Sequence, residues 1–161
     1  MELVFERLEE RNGHTAGRAL LEKTYRRLFN REMPQILLTE QGKPYFADGG
    51  PPFSVSHTKK HVFCCVSERN IGIDAEEIGR IIDLRLAEKF LSPTEKARFD
   101  AAPDKADTLL RLWVLKESYA KLTGRGIGNY LKDTDFSPDD PRVTVKHGCY
   151  LAVIQDEDYA L

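Results

Sequence analysis

The sequence predicts a fold of mixed helical and extended segments, on three observations: a helical run over Thr15–Phe29, short extended runs between Gln35 and Ala75, and a second helical region from Leu84 to Leu122 with extended pieces after it. At 161 residues the chain can bury one substantial core or be built from two small similar halves, but it is too short for several independent domains. In the first helical run Leu20, Leu21, Tyr25, Leu28 and Phe29 recur at helical spacing, with Arg and Lys on the other face. Met33-Pro34 ends that helix. A β-like run over Gln35–Thr39 leads into the turn Gln41-Gly42-Lys43-Pro44 and the loop Gly49-Gly50-Pro51-Pro52.

Phe53–Ser56 and His61–Ser67 read as strands joined by the polar segment His57-Thr58-Lys59-Lys60, and Asn70 introduces a third strand, Ile71–Ala75. From Leu84 the pattern is helical. Ser92-Pro93-Thr94-Glu95 is a capping box with proline at the first helical position, so one helix ends near Leu91 and another begins. Asp104 caps a longer helix that reaches about Leu122 and stops at Gly124 and Gly126. Short extended pieces follow at Arg142–Lys146 and Cys149–Ile154. There is no low-complexity tract and no sequence repeat, yet helix and strand pairs in each half leave a structural duplication open.

Charge narrows the function. Against 24 Lys and Arg stand 26 Asp and Glu, a formal net charge of -2, so nothing in the balance points to nucleic acid or an anionic membrane, and any phosphate binding must be local. The N-terminal MELVFERLEERNGH lacks the apolar core of a signal peptide and no later stretch approaches membrane-spanning length, so a cytoplasmic protein without a membrane partner is expected. Cys64, Cys65 and Cys149 lack C-x-x-C spacing and read as buried thiols.

Two segments carry acids in suggestive patterns. In Ile71-Gly72-Ile73-Asp74-Ala75-Glu76 the alternation places both carboxylates on one face of an extended chain. Carboxylates held close together repel unless a cation lies between them, and oxygen ligands suit a hard ion such as Mg²⁺. Taken alone, the pair reads first as a solvated strand end, since D-x-E is a common pattern. On the long helix Trp113, Glu117 and Lys121 stand at i, i+4 and i+8 along one side, which is also the spacing of an ordinary surface ion pair. The apolar residues Leu109, Leu110, Leu112, Val114, Leu115 and Ala120 around the rest of the helix argue for burial, where charges need partners or a metal. Lys116 lies about 100° around the helix from Glu117, so it supports neighbouring carboxylates or backbone rather than a phosphate.

Four ordered motifs resemble the 4'-phosphopantetheinyl transferases of the type that activates surfactin synthetase. Gln41–Tyr45 is similar to the family's G-K-P segment, Phe53–Thr58 to F-N-x-S-H-S, Ile71–Glu76 to G-x-D-x-E, and Trp113–Lys121 to W-x-x-K-E-[SA]-x-x-K. The resemblance covers roughly Gly17–Gly128. Trp113 and Ser56-His57 favour this larger type over the short trimeric holo-acyl-carrier-protein synthases. The resemblance implies an α+β pseudodimer of two similar halves, about 1–69 and 70–161, each a small antiparallel sheet with a long helix, and with coenzyme A between them. It implies transfer of 4'-phosphopantetheine from coenzyme A to a carrier-protein serine, release of 3',5'-ADP, and a monomer as sufficient.

In that chemistry a serine hydroxyl attacks the β-phosphorus and charge builds on oxygens already charged, which a divalent ion relieves. The resemblance assigns Mg²⁺ to Asp74, Glu76 and Glu117, makes Lys121 a phosphate ligand, and places Glu117 within reach of the serine proton. It makes Lys43, Ser56 and His57 contacts to the coenzyme A phosphates, with Arg18 a basic position at the helix start. The chain departs from the family at its ends: basic contacts to adenine and 3'-phosphate are expected to be missing, with Arg7 and Arg11 as substitutes, and the sheet of the second half is expected to be reduced. Two other readings stand beside it, a Mg²⁺-dependent pyrophosphatase on a nucleotide cofactor and a non-catalytic coenzyme A or carrier-protein binding module.

Overall fold

The computed structural model describes residues 1–9 and 12–156. Its first half holds β1 (Glu2–Arg7), α1 (Gly13–Phe29), β2 (Ile36–Leu38), β3 (Pro44–Phe46), β4 (Phe53–His57) and β5 (His61–Val66). β1, β5 and β4 form an antiparallel sheet in that order, and β2 pairs with β3 as a separate hairpin. α1 begins at Asn12, whose side chain accepts from the His14 and Thr15 amides, and ends at Asn30 in the left-handed region, φ 50°.

The second half holds β6 (Ile71–Glu77), α2 (Ala87–Phe90), α3 (Pro93–Ala101), α4 (Lys105–Thr123), β7 (Val143–Lys146) and β8 (Cys149–Gln155), with 3-10 turns at Leu84–Leu86 and Asn129–Asp133. β6, β8 and β7 form its antiparallel sheet. This sheet has three strands, as the first has, the hairpin of β7 and β8 supplying two of them. The capping box at Ser92 and Glu95 forms as expected, and Asp104 caps α4 by accepting from the Asp107 amide. Gly124 ends α4 at φ 73°. Among the described residues no helix is long and apolar enough to cross a membrane.

Strand alternation builds the layers. On β5, Val62, Cys64 and Val66 face α1 with Leu20, Leu21 and Tyr25, while Phe63 and Cys65 face the second sheet, where they pack on Ile71, Ile73 and Leu151. On β8 the other face, Tyr150, Ala152 and Ile154, packs on α4. The order of layers is therefore helix, sheet, sheet, helix, and the two halves share an apolar interior. Cys64 sits under α1 and Cys65 between the sheets, both free and buried, with burial pushing both thiols up to about 12.

α4 is buried nearly all round, which explains its weak amphipathicity. It lies directly on β6 at Gly72. A Cβ there would stand 1.9 Å from the Ser118 carbonyl oxygen and 2.5 Å from the Leu122 amide nitrogen. This contact fixes the distance between the helix carrying Glu117 and Lys121 and the strand carrying Asp74.

Candidate active site

Two cavities open along the line where the halves meet. The larger, about 390 Å³, is walled by Asp74, Glu76, Trp113, Glu117 and Lys121 on one side, and by Ser56, His57, Gly13, His14 and Arg18 on the other. The smaller, about 330 Å³, is walled by Lys43, Pro44, Gly124 and Gly126 and shares Phe53, Val55, Glu117 and Lys121 with the first. The Trp113, Glu117 and Lys121 ladder thus faces a cleft. One end of that cleft is acidic and the other basic.

Asp74 is the best-fixed acid. It is 6% exposed, and its Oδ1 accepts from Lys121 Nζ at 2.7 Å and from Ser56 Oγ at 2.9 Å. Its Oδ2 is buried with no hydrogen-bond partner among the described residues. Lys121 also donates to the Val55 carbonyl at 3.4 Å, so its ammonium bridges α4, β4 and β6.

Glu117, one turn before Lys121, lies in the same wall. Burial first, and then the neighbouring Asp74 and Glu76 carboxylates, push its carboxyl up to about 7 against the pull of Lys121 and Arg80. Glu76 is raised too, by burial and then by Asp74, while Arg80 and Trp113 hydrogen-bond it and hold it down. Its ion pair with Arg80, four residues on, turns it toward the loop after β6. Among the described residues no three His, Cys, Asp or Glu side chains are gathered closely enough to hold a metal ion as they stand. Asp74 and Glu76 act on Glu117 through their charge without the three forming a closed cage.

In wild-type protein free of metal, a carboxyl-detected NMR titration should show Glu117 titrating at about 7. Asp74→Asn removes one raising charge and should lower that midpoint, though burial keeps it above the ordinary carboxylate range. A Glu117 midpoint in the ordinary range in the wild type would contradict this electrostatic picture.

The basic residues divide. His57, the exposed last residue of β4, packs against Gly13 and meets the His14 ring edge-on, centroids 5.0 Å apart. Arg18 is exposed on α1 and lines the same cleft. With the N-terminus of α1 beside them, this end favours anions. Lys43 differs: its ammonium donates to Asn70 Oδ1 and, at 2.5 Å, to the Leu122 carbonyl at the end of α4. Its stem lines the smaller cavity, and burial draws its pKa down. Arg7 sits at the end of β1 opposite His61, and Arg11 lies outside the described residues.

Lys116 is fully buried. It pairs with Glu95 at 2.7 Å and donates to the carbonyls of Leu131 and Thr134, at 2.6 and 2.8 Å. It organises the loop after α4 and does not reach the cleft, in line with its place around the helix. Sequence reasoning missed His14 and Arg80. His14 is signalled only by its position just after a helix cap, and Arg80 only by its i, i+4 spacing from Glu76.

Residues 70–159 match the family model of the 4'-phosphopantetheinyl transferase superfamily. The chain is 34% identical over 115 residues to the 4'-phosphopantetheinyl transferase gsp of Aneurinibacillus migulanus, covering 69% of this chain and 48% of the relative. To the 4'-phosphopantetheinyl transferase HetI of Nostoc sp. it is 36% identical over 129 residues, covering 74% and 54%. To a holo-[acyl-carrier-protein] synthase of Geobacillus kaustophilus it is 33% identical over 106 residues, covering 56% and 82%. The chain spans about half the length of the first two and most of the third.

Proposed function

The chain belongs to the 4'-phosphopantetheinyl transferase superfamily, and from that premise we propose that it moves 4'-phosphopantetheine from coenzyme A to a serine of an acyl or peptidyl carrier protein, releasing 3',5'-ADP. The observation that carries this reading is the seam itself. Asp74, Glu117 and Lys121 face a cleft between the halves whose far end presents His57, His14 and Arg18. A pyrophosphate bound there has the Arg18 guanidinium and two imidazoles at one end and a charge-rich wall at the other. Trp113 and the Ser56-His57 pair support the surfactin-synthetase-activating type. Three free, buried thiols support a cytoplasmic protein, and the duplicated halves support a monomer.

The donor set fits a divalent cation such as Mg²⁺. It is all oxygen, the Asp74 and Glu76 charges raise the Glu117 carboxyl, and Asp74 keeps one buried oxygen without a partner among the described residues. Asp74, Glu76 and Glu117 are the residues that would hold it, and when bound it would neutralise charge building on the pyrophosphate oxygens. The protein supplies the rest. Lys121, anchored on Asp74, offers a point charge to a phosphate oxygen. His57 and Arg18 hold the phosphates at the basic end. Glu117 lies in the same wall and is the side chain to receive the serine proton, a role secondary to holding the cation because a carboxylate on a divalent ion is a weakened base.

The test is whether coenzyme A is cleaved only when an apo carrier protein is present. Chromatography should show 3',5'-ADP released in step with carrier protein added, with Mg²⁺ required. Cleavage without any carrier protein would favour a pyrophosphatase, with water as nucleophile. Coenzyme A binding without cleavage would favour a binding module.

A further inference from the structure

The two sheets are stitched together by serine side chains. β6 pairs with β8 along one edge only, so the amides on its other edge need acceptors. β4 provides them: Ser54 Oγ accepts from the Ile73 amide at 3.0 Å, and Ser56 Oγ accepts from the Ala75 amide at 3.1 Å. Both serines point to the same face of β4, one strand period apart, and both are nearly buried, at 6% and 5% exposure. Asp74 lies between the two anchored amides.

From this geometry we infer that Ser54 and Ser56 are positioning residues that aim Asp74, and that Ser56 is not a phosphate ligand. A serine hydroxyl has one donor proton and two lone pairs. Ser56 gives its proton to Asp74 Oδ1 and takes the Ala75 amide on one lone pair, so it has no proton left for a phosphate oxygen while that arrangement holds. Together with Lys121 it fixes Oδ1, while Oδ2 stays buried with no hydrogen-bond partner among the described residues. Ser54 acts one step further away, by holding the register of β6 on β4 through Ile73. The inference rests on the reading of Asp74 as the anchor of the cation and transfer site.

Three variants test it: Ser56→Ala, Ser56→Thr, which keeps the hydroxyl, and Ser54→Ala. Mn²⁺ serves as the probe, its binding followed by electron paramagnetic resonance, alongside kcat and KM for coenzyme A. Ser56→Ala is expected to weaken Mn²⁺ by about tenfold or more and to lower kcat, with KM for coenzyme A little changed. Ser54→Ala should act in the same direction, and Ser56→Thr should restore most of both. A phosphate ligand would behave oppositely, so a raised KM with Mn²⁺ affinity intact overturns the inference. So does a Ser56→Ala protein indistinguishable from wild type.

Hydrogen exchange gives a readout that needs neither metal nor turnover. The Ile73 amide should lose protection selectively in Ser54→Ala and the Ala75 amide in Ser56→Ala. Unchanged protection at both amides would refute the seam. If wild-type protein takes up no Mn²⁺ the cation reading falls by itself, and these amides still decide whether the serines hold β6.

Discussion

Gly72→Ala is expected to lose on the order of 3 kcal/mol of stability, a fall in Tm of roughly 6–12 °C for a chain of this size. The reason is contact between backbones. The new methyl would meet the Ser118 carbonyl and the Leu122 amide, neither of which can rotate away as a side chain tip can, so α4 must shift off β6. Ser118 and Leu122 each follow a site residue, Glu117 and Lys121. A displacement of even about 1 Å would carry both from Asp74, and activity should fall by about 100-fold at temperatures where the variant is still folded. Thermal unfolding followed by circular dichroism, with turnover measured below the transition, checks both halves of the expectation. A variant with wild-type Tm and full turnover would contradict the close packing of α4 on β6.

Lys116→Ala should cost about 3–5 kcal/mol, read by chemical denaturation, while leaving the cleft's residues in place. Lys116 and Glu95 are both fully buried, and the Glu95 carboxylate already serves three elements: it accepts from the Ser92 amide at 2.8 Å, from the Phe136 amide at 2.8 Å, and from Lys116. Removing the ammonium strands a buried charge and releases the Leu131 and Thr134 carbonyls that it ties down. Combining Lys116→Met with Glu95→Gln should recover part of the loss, because the amide oxygen can still accept from backbone without carrying charge. A single variant as stable as wild type would show that the pair does not hold the loop after α4.

These effects mark what the sequence makes legible. Local signals translated well: Ser92 and Glu95 form their capping box, Asp104 caps α4, Gly124 ends it, and alternation on Ile71–Glu76 sends Ile71 and Ile73 into the core with Asp74 toward α4. Each depends on neighbours within a few residues. β1 was not foreseen, because Glu2–Arg7 alternates weakly and becomes a strand by pairing with β5, about sixty residues away in the chain. The reach of Glu95 to Phe136 and Lys116 was hidden for the same reason.

At the candidate site, the ladder Trp113, Glu117 and Lys121 does face the cleft, since a helix's periodicity fixes which residues share a side. Strand periodicity gives only the face on which Asp74 and Glu76 lie. It says nothing of where each carboxylate turns, and Arg80 draws Glu76 aside while Lys121 and Ser56 hold Asp74. Lys43 and Ser56 were legible as motif members, but their engagement with Asn70, Leu122, Asp74 and Ala75 depends on the other half of the molecule.

The most direct measurement is intact-mass spectrometry of an apo carrier protein incubated with coenzyme A, Mg²⁺ and either the wild-type protein or Asp74→Ala. The expected result is a mass gain of one phosphopantetheinyl group with the wild type and none with the variant, whose folding is confirmed separately. Full modification by Asp74→Ala, or no modification of any apo carrier protein by the wild type, would contradict transfer at this seam.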